Sequence, residues 1–187
     1  MQNGYDIIIP VFNEKNIIKL LDYLFDNAKK YNQIFICYDS EEDITIHLIK
    51  KSKFINIDNL KLLKNPHTGP CEAIKNGFKN STSEAAIIYP ADDFFNGKLL
   101  DEMFEYKKNG YDIVCPSRFI KGGMIKNCPL IKYLIVKIVS ITLFYFSSLK
   151  IKDPTNGFRL FSHNVLKSYK IESTLGFSYS LELLIKS

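Results

Sequence analysis

The residues most able to do chemistry are two adjacent aspartates, Asp92 and Asp93, which follow a short apolar segment at 85–89. An uninterrupted apolar run of this length predicts a strand buried on both faces, as in a parallel sheet. Acidic side chains do not extend such a strand, so we expect them in the loop at its carboxyl end. That edge is where open α/β sheets bind ligands. Paired carboxylates there favour a hard divalent cation that also holds a phosphate.

Acidic residues also follow two other predicted strands. The segment 6–12 leads to Glu14, and the segment 34–38 leads to Asp39. Because the carboxyl ends of parallel strands meet at one edge, we expect these acids to lie near Asp92. Ordinary capping or turn roles remain the alternative interpretation of Glu14 and Asp39.

The order of the predicted elements indicates the fold class. Strands at 6–12, 34–38, 60–63, 85–89 and 112–115 alternate with helices at 17–28, about 40–51, 69–79 and 98–108. Asn13 is a candidate N-cap for the first helix, and Ser40 with Asp43 has the pattern of a capping box for the second. The alternation predicts an α/β fold with a doubly wound, mostly parallel sheet flanked by helices.

Composition narrows the function classes. The chain has 187 residues, enough for one domain, and a net charge of +5 that is spread along it. There is no basic stripe interleaved with aromatics, so nucleic acid is not an expected partner, whereas a phosphate-rich ligand or an anionic membrane is compatible.

The cysteines show no CxxC spacing and are interpreted as buried, reduced thiols of a cytosolic protein. No signal peptide is recognised. The four cysteines are Cys37, Cys71, Cys115 and Cys128.

Two features distinguish the second half of the chain. The segment 130–149 is almost wholly apolar but contains Lys132 and Lys137, so we expect a helix at a membrane interface, with a core helix or a membrane span as alternatives. The segment 153–157 contains Pro, Asn and Gly and predicts a tight loop. Arg159, just after it, could pair with a phosphate.

Five motifs together resemble glycosyltransferase family 2, and within it the dolichyl- or polyprenyl-phosphate sugar transferases. They are Ile7-Ile8-Ile9-Pro10-Val11-Phe12-Asn13-Glu14; Gly69, Ala73 and Gly77 on one helix face; Pro90-Ala91-Asp92-Asp93 in place of Asp-x-Asp; Ser117-Arg118-Phe119 with Gly122-Gly123; and Asp153-Pro154-Thr155-Asn156-Gly157-Phe158-Arg159. Each motif alone is weak, and their order along the chain is what makes the resemblance specific.

The resemblance implies a GT-A type, Rossmann-like fold and an inverting, metal-dependent glycosyltransferase. The donor would be a UDP- or GDP-sugar, the cofactor Mg²⁺ or Mn²⁺, and the acceptor a polyprenyl phosphate at the cytoplasmic face of a membrane. A hydroxyl acceptor and a non-catalytic nucleotide-sugar binder are the alternatives. The implied catalytic residues are Asp92, Asp93 and Arg159, of which Asp92 and Asp93 hold the metal. The implied nucleotide-sugar-binding residues are Pro10, Phe12, Glu14, Asp39, Gly69, Ala91, Asp92 and Arg118.

Some positions depart from the family pattern. Tyr38 stands where the family has the first of two acids, and Pro90 stands where it has the first aspartate of Asp-x-Asp. Asp92 is therefore expected to be the direct metal ligand, with Asp93 as a helper, or as a base if the acceptor is a hydroxyl. We expect a nucleotide-binding half at about 1–116 and an acceptor-side half at 117–187. Related enzymes continue further, so the chain is expected to be a fragment or a short member.

Overall fold

A computed structural model of the protein describes residues 2–123, 129–146, 151–174 and 176–187. Cys128, residues 147–149 of the apolar segment and Leu175 lie outside the described residues. The elements are β1 (Gln2–Pro10), α1 (Ile17–Asn27), β2 (Tyr31–Tyr38), α2 (Ile44–Lys50), a 3-10 turn (Lys53–Asn56), β3 (Leu60–Lys64), α3 (Pro70–Asn80), β4 (Ser83–Ile88), α4 (Leu99–Lys108), β5 (Ile113–Val114), α5 (Leu130–Phe146), β6 (Arg159–Ser162), α6 (His163–Ser168) and α7 (Tyr179–Lys186).

The sheet confirms the predicted fold class. The described residues form six strands of the sheet, in the order β3-β2-β1-β4-β6-β5. The first four strands are mutually parallel, as the short β-α alternation requires. β6 was not predicted, and it runs antiparallel to both β4 and β5. Because β6 is antiparallel, its amino end lies at the carboxyl edge of β4, so the loop at 153–158 reaches that edge.

Helices cover both faces of the sheet. Alternate side chains of β1 are therefore buried in two core clusters, one on each side. Ile7 and Ile9 belong to a core cluster that contains Leu20 and Leu24 of α1. Ile8 belongs to the other cluster, with α3, α6 and α7. A β-carbon at Gly77 would overlap the Ile8 side chain, so glycine here allows α3 to lie directly on the sheet.

The starts of the first two helices differ from the expectation. The N-cap of α2 is Asp43, whose carboxylate accepts a hydrogen bond from the main-chain N–H of Thr45 at 2.8 Å, and Ser40 precedes it. Asn13 does not cap α1. Its backbone φ is 53°, and its side-chain oxygen accepts a hydrogen bond of 3.2 Å from the main-chain N–H of Ile44, at the start of α2. This bond and one from Glu14 N to Thr45 Oγ1 (2.8 Å) anchor the loop after β1 to α2.

The apolar segment forms α5, a helix of 17 residues. Its large apolar side chains are exposed, among them Leu130 (80%), Ile131 (75%) and Ile138 (61%). These side chains are therefore not part of the core that the described residues form. None of the helices in the described part of the chain is long and apolar enough to cross a bilayer.

Glu182 attaches α7 to the preceding segment. Its carboxylate accepts hydrogen bonds from the N–H groups of Glu172 (2.7 Å) and Ser173 (2.8 Å) and from Lys186 Nζ (2.6 Å). Burial alone would raise the pKa of this carboxyl, but the hydrogen bonds from Lys186, Ser173 and Glu172 outweigh burial and lower the pKa to about 2. The ionised carboxylate therefore contributes to folding stability.

We predict that Glu182→Gln lowers the free energy of unfolding at pH 7 by ~1–2 kcal/mol, since charge-assisted bonds are lost. The carboxyl is depressed from an unfolded pKa of ~4.3, so its contribution is complete above that pH and is lost as pH falls toward 2. Urea unfolding at several pH values should show the two proteins converging between pH ~4.5 and ~2. Glu102→Gln, on an exposed face of α4, is the control. An equal deficit at every pH would contradict the assignment.

Candidate functional site

A cleft of about 420 Å³ lies at the carboxyl edge of the sheet. It is formed where β1 and β4 end and where the loop before β6 approaches them. The lining residues are Pro10, Phe12, Glu14, Ile88, Tyr89, Pro90, Ala91, Asp92, Thr155, Gly157 and Phe177. Five of the residues selected from sequence, namely Pro10, Phe12, Glu14, Ala91 and Asp92, are therefore brought together in one cavity.

The loop after β1 presents an aromatic ring and a carboxylate to the cleft. Phe12 is 78% exposed, which is unusual for a phenylalanine and leaves its ring available to a ligand. Glu14 Oε1 accepts a hydrogen bond from Asn16 N at 2.9 Å, so this carboxylate is oriented by its own loop. The turn interpretation of Glu14 and its place in the cleft are thus both correct.

The two aspartates after β4 have different environments. Asp92 is exposed and lines the cleft. Asp93 is not among the lining residues: its Oδ1 accepts from Phe95 N (2.9 Å) and Asn96 N (3.0 Å), and its Oδ2 accepts from Asn96 Nδ2 (2.6 Å). The Asp93 carboxylate thus organises the loop that leads to α4. The expectation that Asp92 is the direct metal ligand, with Asp93 as a helper, stays a prediction; the structure shows the Asp93 carboxylate already used within its own loop.

Tyr89 forms the buried base of the same loop. Its hydroxyl donates to the main-chain oxygen of Asp93 at 2.9 Å, and its ring packs edge-on against Phe158 with centroids 5.2 Å apart. Burial, together with the nearby Asp93 carboxylate, raises the pKa of Tyr89 far above its ordinary value. Tyr89 is therefore a neutral hydrogen-bond donor that holds the 90–93 turn in place.

Asp39 and Gly69 are brought together, although neither lines the cleft. Asp39 Oδ1 accepts from Asn65 Nδ2 (2.8 Å), and Oδ2 accepts from Gly69 N (2.9 Å). Gly69 has φ of 109°, which favours glycine, and it immediately precedes α3. Asp39 therefore fixes the position at which α3 begins, next to the ends of β1 and β2.

Arg118 forms a two-point ion pair with Asp153. Arg118 Nε lies 2.7 Å from Asp153 Oδ2, and Nη2 lies 2.8 Å from Oδ1. Arg118 Nη2 also donates to Thr155 Oγ1 at 2.9 Å, and Thr155 lines the cleft. Asp153 is fully buried, whereas the Arg118 side chain is 30% exposed. The pair thus fixes the loop that forms this wall of the cleft.

Arg159 is fully buried, which differs from the expectation of a side chain that contacts a ligand. Its Nη1 donates to the Ser180 carbonyl oxygen at 2.6 Å, and its Nη2 donates to the carbonyl oxygens of Pro154 (2.9 Å) and Asn156 (3.1 Å). In this position the guanidinium joins the loop at 153–157 to the start of α7. The expectation that Arg159 contacts a phosphate directly does not fit this buried position. Its role is instead to position the loop at 153–157.

Sequence reasoning did not select Thr155, Gly157 or Phe177 as ligand-contacting residues. The first two lie in the segment 153–157, which the sequence predicts only as a tight loop before Arg159, and Phe177 is 53% exposed near the start of α7. A phenylalanine preceded by glycine carries no local signal of a binding site. Folding alone brings Phe177 to the end of β4.

Comparison with known sequences identifies the family. The sequence model of Glycosyl transferase family 2 matches residues 6–170. The chain belongs to this family. The predicted family resemblance is thereby confirmed, and the matched range contains both the Asp92 loop and the Arg159 motif.

The curated relatives include two transferases whose names contain dolichol or dolichyl. The chain is 28% identical over 185 residues to the dolichol-phosphate mannosyltransferase of Pyrococcus furiosus, covering 96% of this chain and 52% of that protein. It is 34% identical over 106 residues to the dolichyl N-acetyl-alpha-D-glucosaminyl phosphate 3-beta-D-2,3-diacetamido-2,3-dideoxy-beta-D-glucuronosyltransferase of Methanococcus voltae, covering 52% of this chain and 33% of that protein. The chain spans about half the length or less of these relatives.

Solved structures confirm the GT-A type fold. Glucosyl-3-phosphoglycerate synthase of Mycobacterium tuberculosis, crystallised with Mn²⁺, UDP and phosphoglyceric acid, superposes with a TM-score of 0.70 at 14% identity, over 98% of this chain and 63% of that one. TarS of S. aureus gives a TM-score of 0.64 at 18% identity, over 98% of this chain and 54% of that one. At these identities the likeness establishes the fold.

Proposed function

We propose that this family 2 chain transfers a sugar, with inversion, from a UDP- or GDP-sugar to a polyprenyl phosphate at the cytoplasmic face of a membrane, with Mg²⁺ or Mn²⁺. The observation that carries the proposal is the cleft in which the end of β1 and the exposed Asp92 after β4 line one cavity. The names of the Pyrococcus furiosus and Methanococcus voltae transferases support a lipid-phosphate acceptor.

The nucleoside of the donor would lie at the end of β1. Phe12 offers a ring on which a base can stack, and Glu14 offers a carboxylate oxygen that accepts from a base N–H or a ribose hydroxyl. Asp39 contributes indirectly, because it holds Gly69 and the start of α3 in place. Pro10 and Ala91 supply backbone and small side chains that allow close approach.

The residues present fit a divalent cation that is bound together with the donor. Within residues 2–123, 129–146, 151–174 and 176–187, no three histidine, cysteine or acidic side chains come together as a metal site. Mg²⁺ commonly binds through one or two carboxylates and completes its shell with substrate phosphates and water. Asp92 would supply the carboxylate. When bound, the cation stabilises the negative charge that the leaving diphosphate acquires.

The acceptor chemistry does not require a protein base. A lipid phosphate is already anionic at neutral pH, so its oxygen can attack the anomeric carbon without losing a proton, and in-line attack inverts that carbon. This agrees with the use of Asp93 as a loop-organising residue, since a carboxylate occupied by main-chain N–H groups is a poor base. Arg118 donates to Thr155 at the wall where an acceptor phosphate would approach, although Asp153 balances the charge of its guanidinium.

Transfer of label from UDP- and GDP-sugars to polyprenyl phosphate in detergent, with and without Mn²⁺, tests the proposal. A lipid-linked product that requires Mn²⁺ is expected. Product formed only with soluble hydroxyl acceptors would select the alternative acceptor class. Donor binding by calorimetry without turnover on any acceptor would select a non-catalytic binder.

The exposed apolar surface of α5 gives a separate prediction about the membrane. Replacing Ile135 and Ile138 with serine should reduce co-sedimentation with anionic vesicles by at least tenfold, since each buried isoleucine contributes ~1.5–3 kcal/mol. The matched control is the double variant Ile55→Ser, Ile185→Ser, which removes exposed isoleucines from other surfaces. Equal losses in both double variants, or none in either, would show that α5 is not the membrane contact.

A further inference from the structure

Phe177 lines the cleft at the wall that contains the loop before β6. It lies two residues before α7, lines the cleft with Thr155 and Gly157, and is 53% exposed. A β-carbon at Gly157 would lie 3.6 Å from Phe177 Cδ1, so the ring packs on a main-chain segment that has no side chain of its own. The ring of Tyr179, which is fully buried, lies 6.5 Å from the ring of Phe177 and is tilted by 52° to it. The exposed face of Phe177 is therefore a flat apolar surface, and the ring is held by its contacts with Gly157 and Tyr179.

The strand order indicates where the wall formed by Thr155, Gly157 and Phe177 lies relative to a bound donor. Along the carboxyl edge, the ends of β2 and β1 come first, then the end of β4 with Asp92, and then the loop that precedes β6. A nucleotide-sugar is a linear molecule of nucleoside, diphosphate and sugar. With the nucleoside at Phe12 and Glu14 and the diphosphate at Asp92, the next group along the edge is the sugar, and the next protein surface is the one formed by Thr155, Gly157 and Phe177.

From this order we infer that Phe177 contacts the transferred sugar of the donor and is a specificity-determining residue; the inference rests on the proposed function. A pyranose has a face made mainly of C–H groups, and such a face packs on an exposed aromatic ring because both are apolar. Sugars that differ in the orientation of one hydroxyl present different faces to the ring. Phe177 thereby makes the affinity for a donor depend on its sugar and not only on its nucleotide.

Calorimetry of the full chain with Mn²⁺ and four probes, UDP, GDP, UDP-glucose and GDP-mannose, tests the inference. Phe177→Ala should weaken binding of the preferred nucleotide-sugar about fivefold to tenfold, since ~50 Å² of apolar contact is lost. Binding of the matching nucleoside diphosphate should stay within about twofold, because the sugar-contacting surface is not used. Phe177→Leu, which keeps apolar bulk but loses the flat ring, should give an intermediate loss for the nucleotide-sugar alone.

The control is Ile185→Ala, which removes an exposed apolar side chain from α7 without reaching the cleft. All three variants should keep the wild-type melting temperature. Equal weakening of nucleotide-sugar and nucleoside diphosphate in Phe177→Ala, or unchanged affinity for both, overturns the inference while leaving the proposed function intact. A wild-type chain that binds none of the four probes overturns the proposed function and this inference with it.

Discussion

Replacing Asp92 with asparagine is expected to reduce sugar transfer about a thousandfold while leaving the protein folded. The change removes one negative charge from an exposed side chain in the cleft and keeps its size. The cation would lose its protein carboxylate, so the charge that develops on the leaving diphosphate would be stabilised less. Because the side chain is exposed, the free energy of unfolding should change by no more than ~0.5 kcal/mol.

Transfer rates at saturating donor and a titration of Mn²⁺ in the presence of the nucleoside diphosphate measure this effect. Asp26→Asn, an exposed aspartate on α1, is the matched control and should behave as wild type. Asp93→Asn should disturb the loop rather than the metal, giving a lower melting temperature and a Mn²⁺ affinity near that of wild type. A variant at Asp92 that keeps more than ~10% of wild-type turnover would refute the metal role, because electrostatic groups at reacting centres contribute more than this.

Replacing Arg159 with methionine is expected to lower the free energy of unfolding by ~3–5 kcal/mol. The guanidinium is fully buried and donates to three main-chain carbonyl oxygens, those of Pro154, Asn156 and Ser180. Methionine preserves much of the volume but leaves these buried acceptors unpaired. The loss should also loosen the cleft wall, since Thr155 and Gly157 lie in the segment that Arg159 holds.

Chemical unfolding monitored by circular dichroism measures the loss, with Lys79→Met on the exposed side of α3 as the control. Arg159→Lys should recover part of the stability, because an ammonium can satisfy one or two of the three carbonyls. If the Arg159→Met protein were stable and had lost only its affinity for a phosphate ligand, the positioning role would be wrong. The direct phosphate contact predicted from the sequence would then be supported.

The parts of the fold that sequence predicts well are those specified by local patterns. The apolar runs of β1, β2 and β4 end at polar residues, and each is followed by a helix with an apolar periodicity, so their parallel arrangement follows from short connections. β6 has no such signal. It begins with an arginine whose burial depends on carbonyl groups from α7 and from its own preceding loop, and neither contact is visible in the order of residues.

In the candidate site, too, local sequence patterns predict some residues, whereas tertiary contacts determine the others. The strand-end rule correctly brought Glu14 and Asp92 together, because it depends only on strand direction, whereas Asp39, which the same rule selected, does not line the cleft. It could not distinguish Asp92 from Asp93, since the difference lies in which carboxylate is used by main-chain N–H groups of residues 95 and 96. Phe177 was missed because its position in the cleft is set by the packing of α7 against the sheet.

The position of β6 has a consequence for how the chain folds. β6 comes last of the strands in sequence but lies inside the sheet, whereas β5, which is made earlier, lies at the outer edge and pairs with β6. During synthesis, the edge of β4 therefore stays open until the residues of β6 have emerged, and β5 has no strand partner until then. Contacts this far apart in sequence form slowly, and an open parallel edge invites pairing with other chains. We expect the half of the sheet that carries the Thr155 wall to be the last to gain protection from hydrogen exchange during refolding.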